Sequence, residues 1–546
     1  MNKPHKEYSK AIKSLTSKAE KGLLEAQFQL YENYTEGKYV EQKDIELADK
    51  YFQELQCLLP QKRMHLKSFN IHNFRRFKNI NIDFDSYLTV IIGDNGTGKT
   101  SILDGISKIF SWFNNNLEKD DVNGKPITMA DINVHANDYA EMSSTFELDE
   151  TNFFVASLGR IVPGFSGSSP TQVSTIKQFA TMYRKTAHNT SIMLPLLAFY
   201  SAERSAFDLK QSVSEVAFLD SSVNRYEALK DALEGSGKFE SFSSIYIELV
   251  NLAEGEETKE IKELREQIAS LEKVIVDVYA QELPFAGDRL LVTLSDKKEE
   301  LNRLINNSSS GKYQKHLKYV NSAIEKLVSD VKNLKVDRST GKSRILLENF
   351  GVEVNIAQLS KGQKTMVALA GDLARRLVTL NPDSKDPLSG PGIVLIDEVE
   401  LHLHPKWQQE ILLGLYETFP NIQFIVTTHS PQVLSTVDNT CIRKIYLDDN
   451  GEPIVGTPSF QTKGVTSADV LARIMGINSI PENLEEAKWV EKFSESLLNG
   501  NSSERDLYFK MILGHFGENH PVVIECQSQI RIMEMKSRWV KSEEGK

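Results

Sequence analysis

The stretch "GDNGTGKT", Gly93 to Thr100, limits what this chain can fold into more than any other segment. It follows "LTVII", which reads as a fully buried strand, and precedes "SILDGISKIFSWFN" (101–114), whose apolar residues recur at helical spacing. Strand, G-x-x-x-x-G-K-[ST] loop and helix in that order make a phosphate-binding loop. The glycines let the backbone fold its N–H groups inward, and the helix start adds roughly half a positive charge. Gly93, Asp94, Asn95, Gly96, Thr97, Gly98, Lys99, Thr100 and Ser101 therefore read as the cradle of a nucleotide such as ATP. Lys99 is expected to reach the β/γ-phosphates and Thr100 to offer its hydroxyl oxygen to Mg2+.

Two later segments fit the same site. "GIVLIDE" (392–398) is an apolar strand ending in two carboxylates, and ligands of parallel sheets bind at that end. Asp397 is expected to hold Mg2+, through its water shell, and Glu398 to polarise the attacking water. "FIVTTHSP" (424–431) is another buried strand, ending at His429. Alone, this histidine reads as a neighbour of a helix cap at Ser430-Pro431; beside the other two segments it reads as a contact to the γ-phosphate. Residues 365–447 alternate helix and strand, the rhythm of a parallel sheet with crossover helices. The fold class is α/β.

A chain of 546 residues exceeds one core, so two to four units are expected. Apolar content of 40% and charged content of 25% are those of a globular protein. Apolar runs such as "IMLPLLAFY" fall well short of the roughly 20 residues of a membrane span. "MNKPHKEYSKAIKSL" carries no apolar signal core, and Cys57, Cys441 and Cys526 are too scattered for a disulfide framework or a zinc site. A cytoplasmic location without membrane attachment is the expectation. The formal charge of −11 argues against coating nucleic acid by bulk electrostatics. A basic cluster at 61–79 (Lys62, Arg63, Lys67, Arg75, Arg76, Lys78) reads either as a local nucleic-acid contact or as the solvated ends of a half-buried strand. His402 and His404 could share a strand face around a metal, but no third and fourth ligand at suitable spacing accompanies them.

Five segments are expected: helices over 1–60, the first part of an ATPase head over 61–255, a helical arm over 256–336, the second part of the head over 337–460, and a helical tail over 461–546. The arm rests on two seams with 3-4-3-4-3 spacing, Ile261 to Val278 and Leu317 to Leu334, read as two helices packing antiparallel. In the first segment, Ala19, Gly22, Ala26, Gln27, Leu30, Tyr34, Gly37, Val40, Asp44, Ala48 and Tyr51 are similar in order to a single Sel1-like repeat. A plain helical hairpin is the alternative. One such unit cannot bury a core by itself, so docking on the chain or on a partner is expected.

"LSKGQK" (359–364) by itself is a helix start. In the order "GDNGTGKT", "LSKGQK", "IVLIDE", "THS" it resembles the signature of ABC-type ATPase heads, and the insertion before it resembles the branch containing the SMC and RecF proteins. That resemblance implies that Ser360 and Gly362, flanked by Gln363, cap the nucleotide of a second copy in a head-to-tail homodimer or higher even-numbered oligomer. Lys361 stands where the family often has Gly. "AFYSAER", "NRYEALKDALE", "DEVELHLHPKWQ" and "TKGVTSADVLARIMG" resemble the ATPase subunit, PtuA, of Septu anti-phage systems, including those attached to retrons. The likeness implies an HNH-type nuclease partner (PtuB-like) and, in retrons, a reverse transcriptase with its multicopy DNA–RNA. The tail is then a candidate partner surface.

Two rivals remain in view. A DNA-repair or DNA-clamping RecF/SMC-like head would share the motifs. A nuclease of the overcoming-lysogenization-defect type would add a metal-dependent Toprim domain, but after residue 440 there is "LDDNGEP" and no D-x-D.

Overall fold

The computed structural model describes residues 3–205, 224–234, 239–254, 259–278, 289–307, 309–339, 341–477 and 483–543. The chain divides into two compact units, Met1–Gly464 and Val465–Lys546. In chain order the described strands are β1 (His65–Phe74), β2 (Phe77–Asp83), β3 (Leu88–Ile92), β4 (Tyr139–Glu147), β5 (Phe153–Ile161), β6 (Leu196–Tyr200), β7 (Val331–Asp337), β8 (Arg344–Asn349), β9 (Val352–Asn355), β10 (Gly392–Ile396), β11 (Ile422–Thr427), β12 (Ile442–Leu447) and β13 (Pro453–Gly456).

They form three sheets. The central one has the order β13-β12-β3-β11-β10-β6, parallel from β12 to β6 with β13 antiparallel at the edge. Strands β6, β10 and β11 are buried at every position, as parallel strands covered on both faces must be. An antiparallel sheet of order β2-β1-β4-β5 lies over the helix Lys99–Glu118, which is buried on nearly all sides. Phe110 of that helix meets Phe146 of β4, and Asn114 donates to the Leu197 carbonyl of β6 at 3.0 Å. Gln423, fully buried in β11, ties the two sheets together. Its Oε1 accepts from Leu66 N–H at 2.7 Å, and its Nε2 donates to the Leu66 and Asp85 carbonyls at 2.8 and 2.7 Å.

Three helices, Lys3–Glu20, Leu24–Glu36 and Ile45–Leu58, precede the sheets. They dock on the head: Leu24 N–H donates to Asn152 Oδ1 at 2.8 Å, and Lys185 pairs with Glu32 at 2.9 Å. Docking on the chain's own head is the expected way for so small a unit to bury its apolar face.

The arm differs from the reading by heptads. Lys259–Val278 pairs with Arg289–Asn307, joined by Lys297 to Gln267 and Lys298 to Glu272, both at 2.7 Å. Of Ile261 and Val278 only the helical backbone is described. The second seam belongs elsewhere. Leu317, Val320, Ile324 and Leu327 lie on the helix Ser309–Leu327, which packs on Lys361–Leu380 and Phe239–Glu254, whereas Val331 and Leu334 lie on β7. The β7 register shifts between Lys332 and Lys335, with Asn333 at φ +53°. The extra residue turns Val331 and Leu334 to the same buried side and so mimics a heptad step. The true arm partner escaped because its seam is interrupted by Lys297.

In the second unit, helices Glu485–Leu498, Ser502–Phe516 and Pro521–Glu543 surround Phe493, Ile512, Val523 and Cys526. No described helix is long and apolar enough to cross a membrane.

Replacing Gln423 by Leu removes its three hydrogen bonds to Leu66 and Asp85 and strands the Leu66 amide. The expected loss is about 2–4 kcal/mol of head stability, read as a fall in the urea midpoint.

Candidate active site

The phosphate loop leaves β3 and folds back on itself. Thr97 donates both its N–H and its hydroxyl to the Asp94 carbonyl, at 3.2 and 2.8 Å. Asp94, Asn95 and Gly96 form an exposed crest, while Thr97 and Lys99 are buried. Gly98 begins the helix at φ +103°, and a Cβ there would lie 2.3 Å from Phe77 Cζ, so no other residue fits. The first N–H groups of the helix, from Lys99 onward, have no intrahelical acceptor, which suits an anion. Lys99 Nζ donates to the carbonyls of Gly93 and Asp94 at 2.8 and 3.0 Å. Burial lowers its pKa, against the opposing pull of Asp397, Glu398, Asp94 and Glu400.

The acidic end of β10 meets the loop although β11 separates the two strands. Thr100 Oγ1 donates to Asp397 Oδ2 at 2.8 Å, and Thr427 Oγ1, at the end of the intervening strand, donates to Asp397 Oδ1. The same Thr427 oxygen accepts the Glu398 N–H at 2.8 Å. Glu398 is half-buried at φ +48°, a left-handed turn that ends the strand and starts the loop to His404. A hydroxyl and a carboxylate converging in this way form a hard-oxygen donor set that fits Mg2+.

His429 follows β11. Its N–H donates to Glu400 Oε1 at 2.6 Å, and the preceding Thr428 N–H donates to the Ile91 carbonyl at 3.3 Å. His404 accepts from Lys406 N–H at 3.3 Å as the cap of helix Pro405–Thr418, which gives that histidine a structural use.

The signature segment stands apart from these contacts. Ser360 is the exposed cap of Lys361–Leu380 and forms a reciprocal capping box with Gln363. Gln363 is buried and donates to Asn349 Oδ1 at 2.8 Å. Gly362 is buried too: a Cβ there would lie 2.5 Å from the His402 carbonyl oxygen. The structure thus brings Lys99, Thr100, Asp397 and Glu398 together, with the His429 main chain tied to Glu400 two residues further on, and none of the hydrogen bonds among the described residues joins Ser360 to them.

Three contributors were not read as site residues. Thr427 is a hydroxyl in an otherwise apolar strand, Glu400 is the third acid of "DEVE", and Arg76 donates to the Gly96 carbonyl of the loop crest. The side chains of the basic cluster find partners within the head. Lys62 pairs with Asp149, Lys67 with Glu147, Arg75 with Asp104 and Asp131, and Lys78 with Glu452, while Arg63 donates to the Ser86 carbonyl.

A phosphate loop and an acidic strand end sharing one aspartate across an intervening strand define a P-loop ATPase. Residues 64–434 match the AAA ATPase domain. The chain is 32% identical to the retron Vc95 probable ATPase of Vibrio cholerae serotype O1 biovar El Tor, over 91% of this chain and 95% of that protein. It is 30% identical to the retron Ec83 probable ATPase of Escherichia coli, over 95% and 96%. A shorter likeness, 26% over 31% of this chain and 44% of the other, joins it to the Septu protein PtuA of Bacillus thuringiensis. The chain belongs to the AAA ATPase-domain family.

Because burial lowers the Lys99 pKa, the unfolded chain binds this proton more tightly, and Lys99 makes stability rise with pH between the folded and unfolded values. ATP binding needs the proton present. Affinity is therefore expected to fall as pH becomes alkaline, and Lys99→Arg, which stays charged, should flatten that dependence in a fluorescent-nucleotide titration.

Proposed function

We propose that this ATPase is the nucleotide-driven subunit of a retron- or Septu-type anti-phage defence system, closing head-to-tail on a second copy around ATP and thereby controlling an HNH-type nuclease. The observation that carries the pairing is the exposed helix start at Ser360. A serine hydroxyl and the N–H groups of a helix start make a phosphate cap, yet the Ser360 hydroxyl bonds Gln363 within the signature segment and not the chain's own nucleotide site. The second copy supplies the phosphate they suit. The relatives' names, which include retron and Septu proteins, support the defence context.

In this reading Gly93 to Ser101 and Lys99 bind the triphosphate, and Thr100 and Asp397 would hold Mg2+, which when bound neutralises β/γ-phosphate charge. Glu398 orients the attacking water and accepts its proton. His429 contacts the γ-phosphate, and Ser360 and Gly362 of the other copy, with Gln363 bracing their helix start, close the pocket. Loss of the γ-phosphate removes the group gripped by both copies, so hydrolysis opens the pair. The unit Val465–Lys546 is the proposed seat of the nuclease, and a reverse transcriptase with its DNA–RNA is a further partner in a retron. The complex works in the cytoplasm.

Glu398→Gln should lower turnover by about 100-fold or more while retaining ATP binding, and light scattering should find it as a dimer with ATP. Lys99→Ala should bind no ATP in the same range and remain monomeric. Parental turnover in both variants would overturn the assignment.

A further inference from the structure

We propose that Glu400 is a positioning residue for ATP hydrolysis that acts by holding the His429 main chain at the phosphate pocket; this rests on the pocket assignment proposed above. Glu400 sits two residues beyond Glu398, in the loop that leaves β10. His429 lies just past the end of β11, where the sheet no longer supplies an acceptor. Its amide is fixed instead by the Glu400 carboxylate, at 2.6 Å. The neighbouring amide, Thr428, is fixed by Ile91 on the phosphate-loop strand. Two consecutive N–H groups are therefore held by different elements, Thr428 by β3, which leads into the phosphate loop, and His429 by the loop that leaves β10.

The choice of a carboxylate is informative. An amide at 400 would accept the same N–H and offer a donor besides. The carboxylate instead leaves Oε2 buried with no hydrogen-bond partner, and it places a negative charge near a polyanion site. Buried polar atoms without partners are rare and cluster where function outweighs stability. What the charge supplies is a stronger, shorter bond to the His429 N–H. The same loop carries Glu398 upstream and, downstream, the His402 carbonyl against Gly362. Glu400 thus ties the histidine to the segment bearing the water-activating carboxylate, so the two keep one geometry.

The test is a double-mutant cycle on the full chain with Mg2+ and ATP, measuring kcat, KM and binding of a fluorescent ATP analogue. Glu400→Ala should lower kcat about 10- to 100-fold with KM changed by less than about 2-fold. Glu400→Gln should lose less than Glu400→Ala. The Glu400→Ala/His429→Ala double variant should match His429→Ala alone within about 2-fold. Multiplicative losses, an unchanged kcat in Glu400→Ala, or a rise in KM alone would overturn the inference. Should the alanine variant fail to fold, the isosteric Glu400→Gln runs the same cycle. If His429→Ala turns over ATP at the parental rate, the His429 assignment fails and this inference with it; if only Glu400→Ala does so, the pocket stands and Glu400 has no part in it.

Discussion

Asp397 is held from two sides by threonine hydroxyls, and the site depends on that clasp. Inserting β11 between β3 and β10 separates the phosphate loop from the acidic strand by two strand spacings, about 10 Å. Thr100 reaches in from the loop side and Thr427 from the strand between. The Asp397 N–H is taken by the Tyr200 carbonyl of β6, so main chain and side chain are both anchored. Glu398 inherits this order, because its N–H bonds the Thr427 oxygen that also serves Asp397.

The signature helix is tied to the same edge. Tyr200 donates its hydroxyl to Asp372 at 2.8 Å, and Asp372 accepts from Arg375 and Arg376 at 2.7 Å. Burial alone would raise the Asp372 pKa, but the two guanidiniums override it and hold the carboxyl well below its usual range. Arg376 also donates to the Ala228 and Lys230 carbonyls, which satisfies the guanidinium where it is buried. At the helix start Gly362 lies against the His402 carbonyl. With both attachments made, the helix Lys361–Leu380 has to travel with its own acidic strand. In the proposed pair, opening therefore separates whole heads and does not peel the helix away from one of them.

The legible parts of the sequence were those whose physics is local. A glycine loop between a buried strand and a helix, a strand ending in Asp-Glu and a strand ending in His all announce themselves within eight residues. The relations between them did not. That Thr427 serves Asp397, or that Glu400 holds His429, depends on strand order, and order is set by crossovers of dozens of residues. The arm shows a different limit. Spacing of 3 and 4 was a true signal of burial at Val331 and Leu334, but a shifted register in β7 meets it as well as a helix does. Its actual second helix carries Lys297 in the seam, where hydrogen bonding to Gln267 replaces apolar packing.

Charge pairing bears on the choice between a defence switch and a DNA clamp. Tight nonspecific binding to DNA needs cations free to replace condensed counterions. In the cluster at 61–79, four side chains spend their charge on carboxylates of the head, and Arg63 and Arg76 bind main-chain carbonyls. On the arm, Lys298 pairs with Glu272 and Lys297 with Gln267. Freeing one of the carboxylate-paired cations for phosphate would leave a carboxylate behind to oppose the same DNA. With a net charge of −11, bulk electrostatics does not favour tight nonspecific binding to nucleic acid.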